Sequence, residues 1–146
     1  MTESDDKPLG FLLYSVASRL KPEVGAELQP LGLSLPQVAC MRMLAETPGL
    51  TSAELARGKN VSAQAMNRVL LSLQALGAVT RPATTPPNQR MPAQLTKHGK
   101  TLLKAATAAA HKADQRILAH LPPSDQHELR RLLFAAANPA NNESAT

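Results

Sequence analysis

The stretch TSAELARGKNVSAQAMNRVLLSLQALGAVT, residues 51–80, decides the fold. Thr51-Ser52-Ala53-Glu54 fits a capping box at the start of a short helix. That helix is expected to run to about Arg57, with Gly58 as its left-handed C-terminal residue. Lys59-Asn60-Val61 then make a turn. Ser62 caps a longer helix whose inner face is Met66, Val69, Leu70, Leu73 and Leu76 at helical spacing, and Gly77 closes it. Gln64, Asn67 and Arg68 lie together on the opposite face, three and four residues apart. A short helix, a tight turn and a longer helix with a polar N-terminal half is the arrangement that presents a helix to a major groove.

The charge is concentrated in the same place. Between Thr51 and Lys100 there are seven basic residues (Arg57, Lys59, Arg68, Arg81, Arg90, Lys97, Lys100) and one acid, Glu54, a net +6. The remainder of the chain, nine basic against ten acidic residues, carries −1, so the overall +5 belongs to this motif. A positive surface localised on one helical motif faces a polyanion. Gln64 and Asn67 have the groups to bond adenine bidentately, and Arg68 those to bond guanine. Ser62 and the free amides from Ala63 onward suit a phosphate or base edge. Lys59 in the turn and Arg81 after it are placed to hold phosphates, and Thr51 and Ser52 at the start of the preceding helix are further DNA-binding candidates. The alternative is that Gln64, Asn67 and Arg68 form an ordinary solvated helix face; the shared location of the basic residues argues against it.

Outward from the motif, Val79-Thr80-Arg81 suits a strand and Met91 to Leu95 its return. Pro82 and Pro92 limit the pairing to a short or irregular hairpin. Its tip carries Pro86, Pro87, Asn88 and Arg90, the last positioned to enter a minor groove. Upstream, Leu9, Leu12, Leu13, Val16, Leu20, Val24 and Leu28 make one long amphipathic helix, with Pro22 a site for a kink. Ser34 caps another helix, with Pro36 in its first turn and Val38, Met41 and Leu44 as its inner stripe, ended by Pro48-Gly49. Downstream, Thr96 caps an alanine-rich helix of about 25 residues, broken by Pro122-Pro123. Ser124 or Asp125 then starts a last helix bearing Leu129, Leu132, Leu133 and Phe134. The architecture expected is mainly α with a small β-wing: a winged helix-turn-helix over 34–96, flanked by helices over 8–33 and 97–137. Residues 1–7 and 138–146 are polar and expected to be disordered.

Composition narrows the classes. The chain has 146 residues, one domain by size. Aromatics are scarce (Phe11, Tyr14, Phe134), which favours helices over a large sheet. Cys40 is the only cysteine, so neither a disulfide nor a cysteine-rich zinc site is available. No apolar run is long enough to span a bilayer, and MTESDDKPLG lacks a signal-peptide pattern, so the expectation is a cytoplasmic protein without membrane contact. His98, His111, His120 and His127 have no metal-site spacing. There is no phosphate-binding glycine loop and no nucleophile elbow, so neither an enzyme nor a cofactor or metal is expected.

PLGFLLYSVASRL, LGLSLPQVACMRMLAETPGLTSAELA, VSAQAMNRVLLSLQALGAVTRP and QLTKHGKTLL together resemble the MarR family of winged helix-turn-helix regulators. The most specific element is Leu-Thr-x-x-Gly at Leu95–Gly99, a wing's distance after Leu76-Gly77-Ala78-Val79. The resemblance implies a homodimer interlocked through the first, fifth and sixth helices. It implies a fourth helix in each major groove of a pseudo-palindromic operator, wings in the flanking minor grooves, and most often repression of nearby genes. It also implies release from double-stranded DNA by a small aromatic or phenolic effector, often a carboxylate. The pocket would lie where the first, second and fifth helices meet the winged unit; Tyr14, Arg19, Met41 and Arg42 are its candidate lining, an Arg to hold a carboxylate and a Met to adapt to aromatic shapes. Two departures stand out. The wing reads Asn88-Gln89-Arg90 where the family carries Asp-x-Arg, and the fourth helix reads Leu71-Ser72-Leu73-Gln74 where it often has Asp-Arg-Leu-Glu. The ion pairs that usually brace wing and helix are therefore missing, and Leu71 has no evident role. Two alternatives stay open: a winged helix used for protein contact, and a redox-responsive regulator using Cys40, whose position among apolar residues reads better as a small core hydrophobe.

Overall fold

The structure, a computed structural model, describes residues 2–82 and 91–139. Helix α1 spans Leu9–Leu28 and passes through Pro22 without interruption. A single 3-10 turn, Gln29–Leu31, follows and ends at Gly32 in the left-handed region (φ 69°). Helix α2 spans Leu35–Glu46. Its full capping box joins the Ser34 side chain to the Gln37 amide and the Gln37 side chain back to Ser34, with proline in the first turn.

Helix α3, Ser52–Lys59, is longer than the sequence implies. The left-handed residue is Asn60 (φ 54°), not Gly58, which lies inside the helix. Asparagine tolerates this conformation through its short polar side chain. Glycine at 58 serves packing instead: a Cβ there would meet Met43 Cε at 2.4 Å. Helix α4, Ala63–Ala75, is capped by Ser62, whose Oγ accepts from the Ala65 amide at 3.1 Å. Met66, Leu70 and Leu73 are buried, Val69 is half-buried, and Leu76 turns outward beyond the helix end.

The sheet is minimal. β1 (Val79–Thr80) pairs antiparallel with β2 (Gln94–Leu95), with Val79 opposite Leu95 and Thr80 opposite Gln94. The flanking prolines lack the donors a longer ladder needs. Backbone bonds between Gly49 and Ala93 and between Ala93 and Leu50 tie the loop before α3 to the return strand. Helix α5, Lys97–Ile117, ends before Pro122-Pro123, and α6, Pro123–Ala137, begins on Pro123 itself. A proline at the first helical position loses no hydrogen bond and starts with the right φ.

The core is continuous from Val24 and Leu28 of α1 through Cys40, Met41 and Leu44 of α2 to Leu55, Leu70 and Leu73, closed by Ala106, Ala109 and Ala113 of α5. Small residues on α5 let α1 approach closely, and Arg116 fixes that pair by bonding Glu23 at 2.9 Å and Glu27 at 2.6 Å. The amino-terminal half of α1 does not share in this core. Leu9, Phe11, Leu13, Tyr14 and Val16 are exposed, as are Leu132, Leu133 and Phe134 of α6. Residues 2–7 form surface turns held by Thr2 and Asp5.

Candidate nucleic-acid interface

The outer face of α4 carries Gln64, Asn67, Arg68 and Leu71, all exposed. Leu71 is 53% exposed, on the same stripe as the polar three. Ser62 and Ala63 are exposed at the helix start, where the cap leaves backbone amides pointing outward.

A cleft of about 340 Å³ lies beside this face, lined by Thr51, Ser52, Arg57, Asn67, Arg81 and Met91. It brings together the start of α3, the middle of α4 and the base of the hairpin. Thr51, Ser52, Asn67 and Arg81 were legible as candidates; Arg57 was not assigned a role from sequence, although its four-residue spacing from Ala53 signals the shared face. Thr51 itself is buried, its hydroxyl accepting from the Glu54 amide and donating to Glu54 Oε1 at 2.9 Å. It caps α3 through that hydroxyl. Lys59 is not part of this cleft; it sits on the far end of α3. Arg90, Asn88 and Gln89 lie outside the described residues.

Arg81 is committed within the protein. Its Nε and Nη2 donate to Gln74 Oε1 at 3.2 and 2.9 Å, and Nη1 donates to Asn67 Oδ1 at 3.2 Å. The brace between hairpin base and α4 therefore survives the loss of the acidic residues, with two neutral amides accepting in place of carboxylates. A second internal link joins α2 to α4: Gln37 Nε2 donates to Ser72 Oγ at 2.9 Å, and Ser72 donates to the Val69 carbonyl.

A larger cleft, about 490 Å³, opens where α1, α2 and α5 meet. Leu20, Val24, Leu28, Val38, Ala106 and Ala110 supply its apolar wall, and Arg42, Lys59, Glu46 and Asp114 its charged rim. Its volume is in the range of small-ligand sites. Of the four residues expected to line it, only Arg42 does so, with Nη2 held on Thr107 Oγ1 at 2.8 Å. Met41 is wholly buried in the core, because its position on α2 faces inward, while Tyr14 and Arg19 are on the exposed side of α1.

Cys40 is buried with no accessible surface, and desolvation pushes its thiol up to about 11, only partly opposed by the charge of Arg81. A protonated, enclosed thiol is a core residue, which removes the ground for a thiolate sensor. Among the described residues no helix is long and apolar enough to cross a membrane.

Helix order, the short hairpin after the longer helix and the exposed polar face define a winged helix-turn-helix protein. Residues 31–90 match the family model described as MarR family. The chain is 52% identical over 130 residues to the HTH-type transcriptional repressor Rv2887 of Mycobacterium tuberculosis, covering 89% of this chain and 94% of that protein. Two crystal structures of Rv2887 share 50% identity with it. The complex with DNA superposes with a TM-score of 0.78, covering 90% of this chain and 98% of that one. The complex with salicylic acid gives 0.76, covering 91% and 98%. The chain belongs to the MarR family.

Proposed function

We propose that this chain is a homodimeric transcriptional repressor that binds a pseudo-palindromic operator and is released by a small aromatic carboxylate. The observation that carries the reading is the exposed stripe Gln64, Asn67, Arg68 and Leu71 on α4, set in a segment of net +6. Three polar side chains that match base edges stand beside a leucine that fits a thymine methyl, which gives Leu71 a role. Ser52 and Arg57 share a cleft with Asn67 beside this stripe and are assigned to the DNA backbone, with Ser62 and Ala63 at the start of α4. Arg90, from its place in the sequence, enters the minor groove. Residues 34–96 are the DNA-binding unit and 8–33 with 97–137 the dimerisation unit. The protein works in the cytoplasm as a regulator and not as an enzyme.

The cleft between α1, α2 and α5 is the effector site. Arg42 and Lys59 offer charge to a carboxylate over an apolar wall sized for one aromatic ring. The relative Rv2887 has been crystallised with salicylic acid and with DNA, which supports both halves of the reading. Release needs only a higher effector affinity for the dimer shape that does not fit the operator.

The test is binding of the purified protein to duplex DNA from upstream of its own gene and to scrambled DNA, at two salt concentrations. Specific binding that weakens steeply with salt is expected. Gln64→Ala or Arg68→Ala is expected to cost about 1–3 kcal/mol of operator affinity with the fold intact. Salicylate is expected to release the wild type, and Arg42→Ala to need a higher concentration. Unchanged affinity in both α4 variants would sink the assignment of this face. Absence of DNA binding even at low salt would favour a protein-contact role for the winged helix.

A further inference from the structure

Arg81 does more than join the hairpin to α4, because of which atom it engages on Asn67. A guanidinium carries donors only. The contact from Arg81 Nη1 therefore sets Oδ1 of the Asn67 amide toward Arg81, and the NH2 group of this exposed residue is bonded by no described residue. The grip is held at its other end by Gln74, which accepts twice from the same guanidinium.

An unengaged asparagine reads adenine with both halves of its amide, Oδ1 accepting from N6 and Nδ2 donating to N7. Oδ1 keeps a second lone pair, but an oxygen already bonded to a cation accepts more weakly, while Nδ2 keeps both donors. A reader biased toward donation is better matched by the base with two adjacent acceptors, guanine with N7 and O6, than by adenine, whose N6 is itself a donor. We propose that Arg81 is a specificity-determining residue, which turns Asn67 from an adenine reader into a guanine reader at the base pair beneath it. This rests on the DNA-binding reading above, and revises the sequence expectation that Asn67 bonds adenine bidentately.

The experiment is selection from a random duplex DNA pool with the full-length wild type, Arg81→Met and Asn67→Asp, each first checked for folding by circular dichroism. The wild type is expected to enrich a motif with guanine preferred over adenine by about tenfold or more at one base pair of each half-site. Arg81→Met frees Oδ1 and is expected to move that pair toward adenine, leaving the other positions alone. Asn67→Asp keeps an acceptor for Arg81 but removes the donors, and is expected to abolish the guanine preference at the same pair. A role confined to bracing predicts instead an unchanged motif bound more weakly throughout, and that result from Arg81→Met would overturn the proposal. Should Arg81→Met not fold, Asn67→Asp decides: loss of guanine supports the proposal, and a wild-type adenine at the altered pair overturns it. A wild type that enriches no motif overturns the DNA-binding reading itself, and this proposal with it.

Discussion

Gly99 shows at the scale of one residue what a motif is for. Leu-Thr-x-x-Gly is visible in the sequence as a family signature, but the reason for its glycine is a contact across the fold. A Cβ at Gly99 would stand 2.1 Å from the Ala78 carbonyl oxygen and 2.7 Å from Leu95 Cδ1. Thr96 completes the junction, accepting from the Gly99 amide and donating to the Gly77 carbonyl at 2.6 Å. Gly99→Ala is expected to destabilise the protein by about 1–3 kcal/mol, at the upper end because backbone cannot step aside, measured by urea unfolding. A loss below half a kcal/mol would mean that α5 can shift freely. Gly58→Ala is the contrast, since the atom it meets is the mobile end of Met43. Cys40 yields a second test. Its raised pKa means that the folded state favours the neutral thiol. The associated stability is present below the unfolded value of 9.0 and is lost as pH rises toward about 11. At pH 8 the native thiol is expected to resist Ellman's reagent and to react fully once unfolded; fast reaction in the native state would restore the sensor reading. The basic partner that acts on this thiol, Arg81, is 41 positions away, which spacing along the chain does not reveal.

Elements were legible wherever a cap and a period coincided. Ser34, Thr51, Ser62 and Thr96 each cap the helix that the sequence assigns to them. The end of α3 was misplaced because glycine is the usual left-handed residue, and here asparagine holds that position while the glycine answers to Met43. The ion pairs that brace wing and helix in the family were expected to be missing, and Arg81 bonds two amides in their stead; spacing along the chain does not reveal which side chains meet. For the residues assigned to the pocket the phase of α2 matters most, since it sets Arg42 at the cleft and Met41 in the core, one residue apart. Ser62 gives the prediction at this scale. Its hydroxyl accepts from the Ala65 amide just where α4 begins. Ser62→Ala is expected to cost about 1 kcal/mol of stability by thermal unfolding. It should also weaken operator binding beyond that global effect, because the first turn of α4 frays. Ser62→Asp is expected to restore stability but not operator affinity, since the added negative charge repels phosphate. Full recovery of DNA affinity in Ser62→Asp would show that the start of α4 stands away from the backbone.

At the scale of the molecule, the single chain leaves a large apolar surface in water. The stripe predicted for α1 is correct in period, but only Val24 and Leu28 are buried; Leu9 and Tyr14 are 70% exposed and Phe134 of α6 is 63% exposed. Exposed aromatics and leucines on two helices at the same end of the fold mark an association surface rather than a solvated face. In the proposed homodimer a second copy covers these apolar positions, and its two-fold symmetry suits the proposed pseudo-palindromic operator. Arg130 of α6 bonds Asp114 of α5 at 3.4 Å, and α6 leaves Leu132, Leu133 and Phe134 exposed. Phe134→Asp places a charge within that surface and removes its largest side chain. The wild type is expected to run as a dimer in light scattering after size exclusion. Phe134→Asp is expected to shift toward monomer at low micromolar concentration while keeping its helical circular dichroism. Because a monomer engages one half-site at a time, operator affinity should fall much further than the 1–3 kcal/mol expected for losing one base contact. A folded Phe134→Asp protein that remains dimeric and binds the operator as tightly as the wild type would place the dimer contact elsewhere and leave the apolar ends of α1 and α6 without a partner.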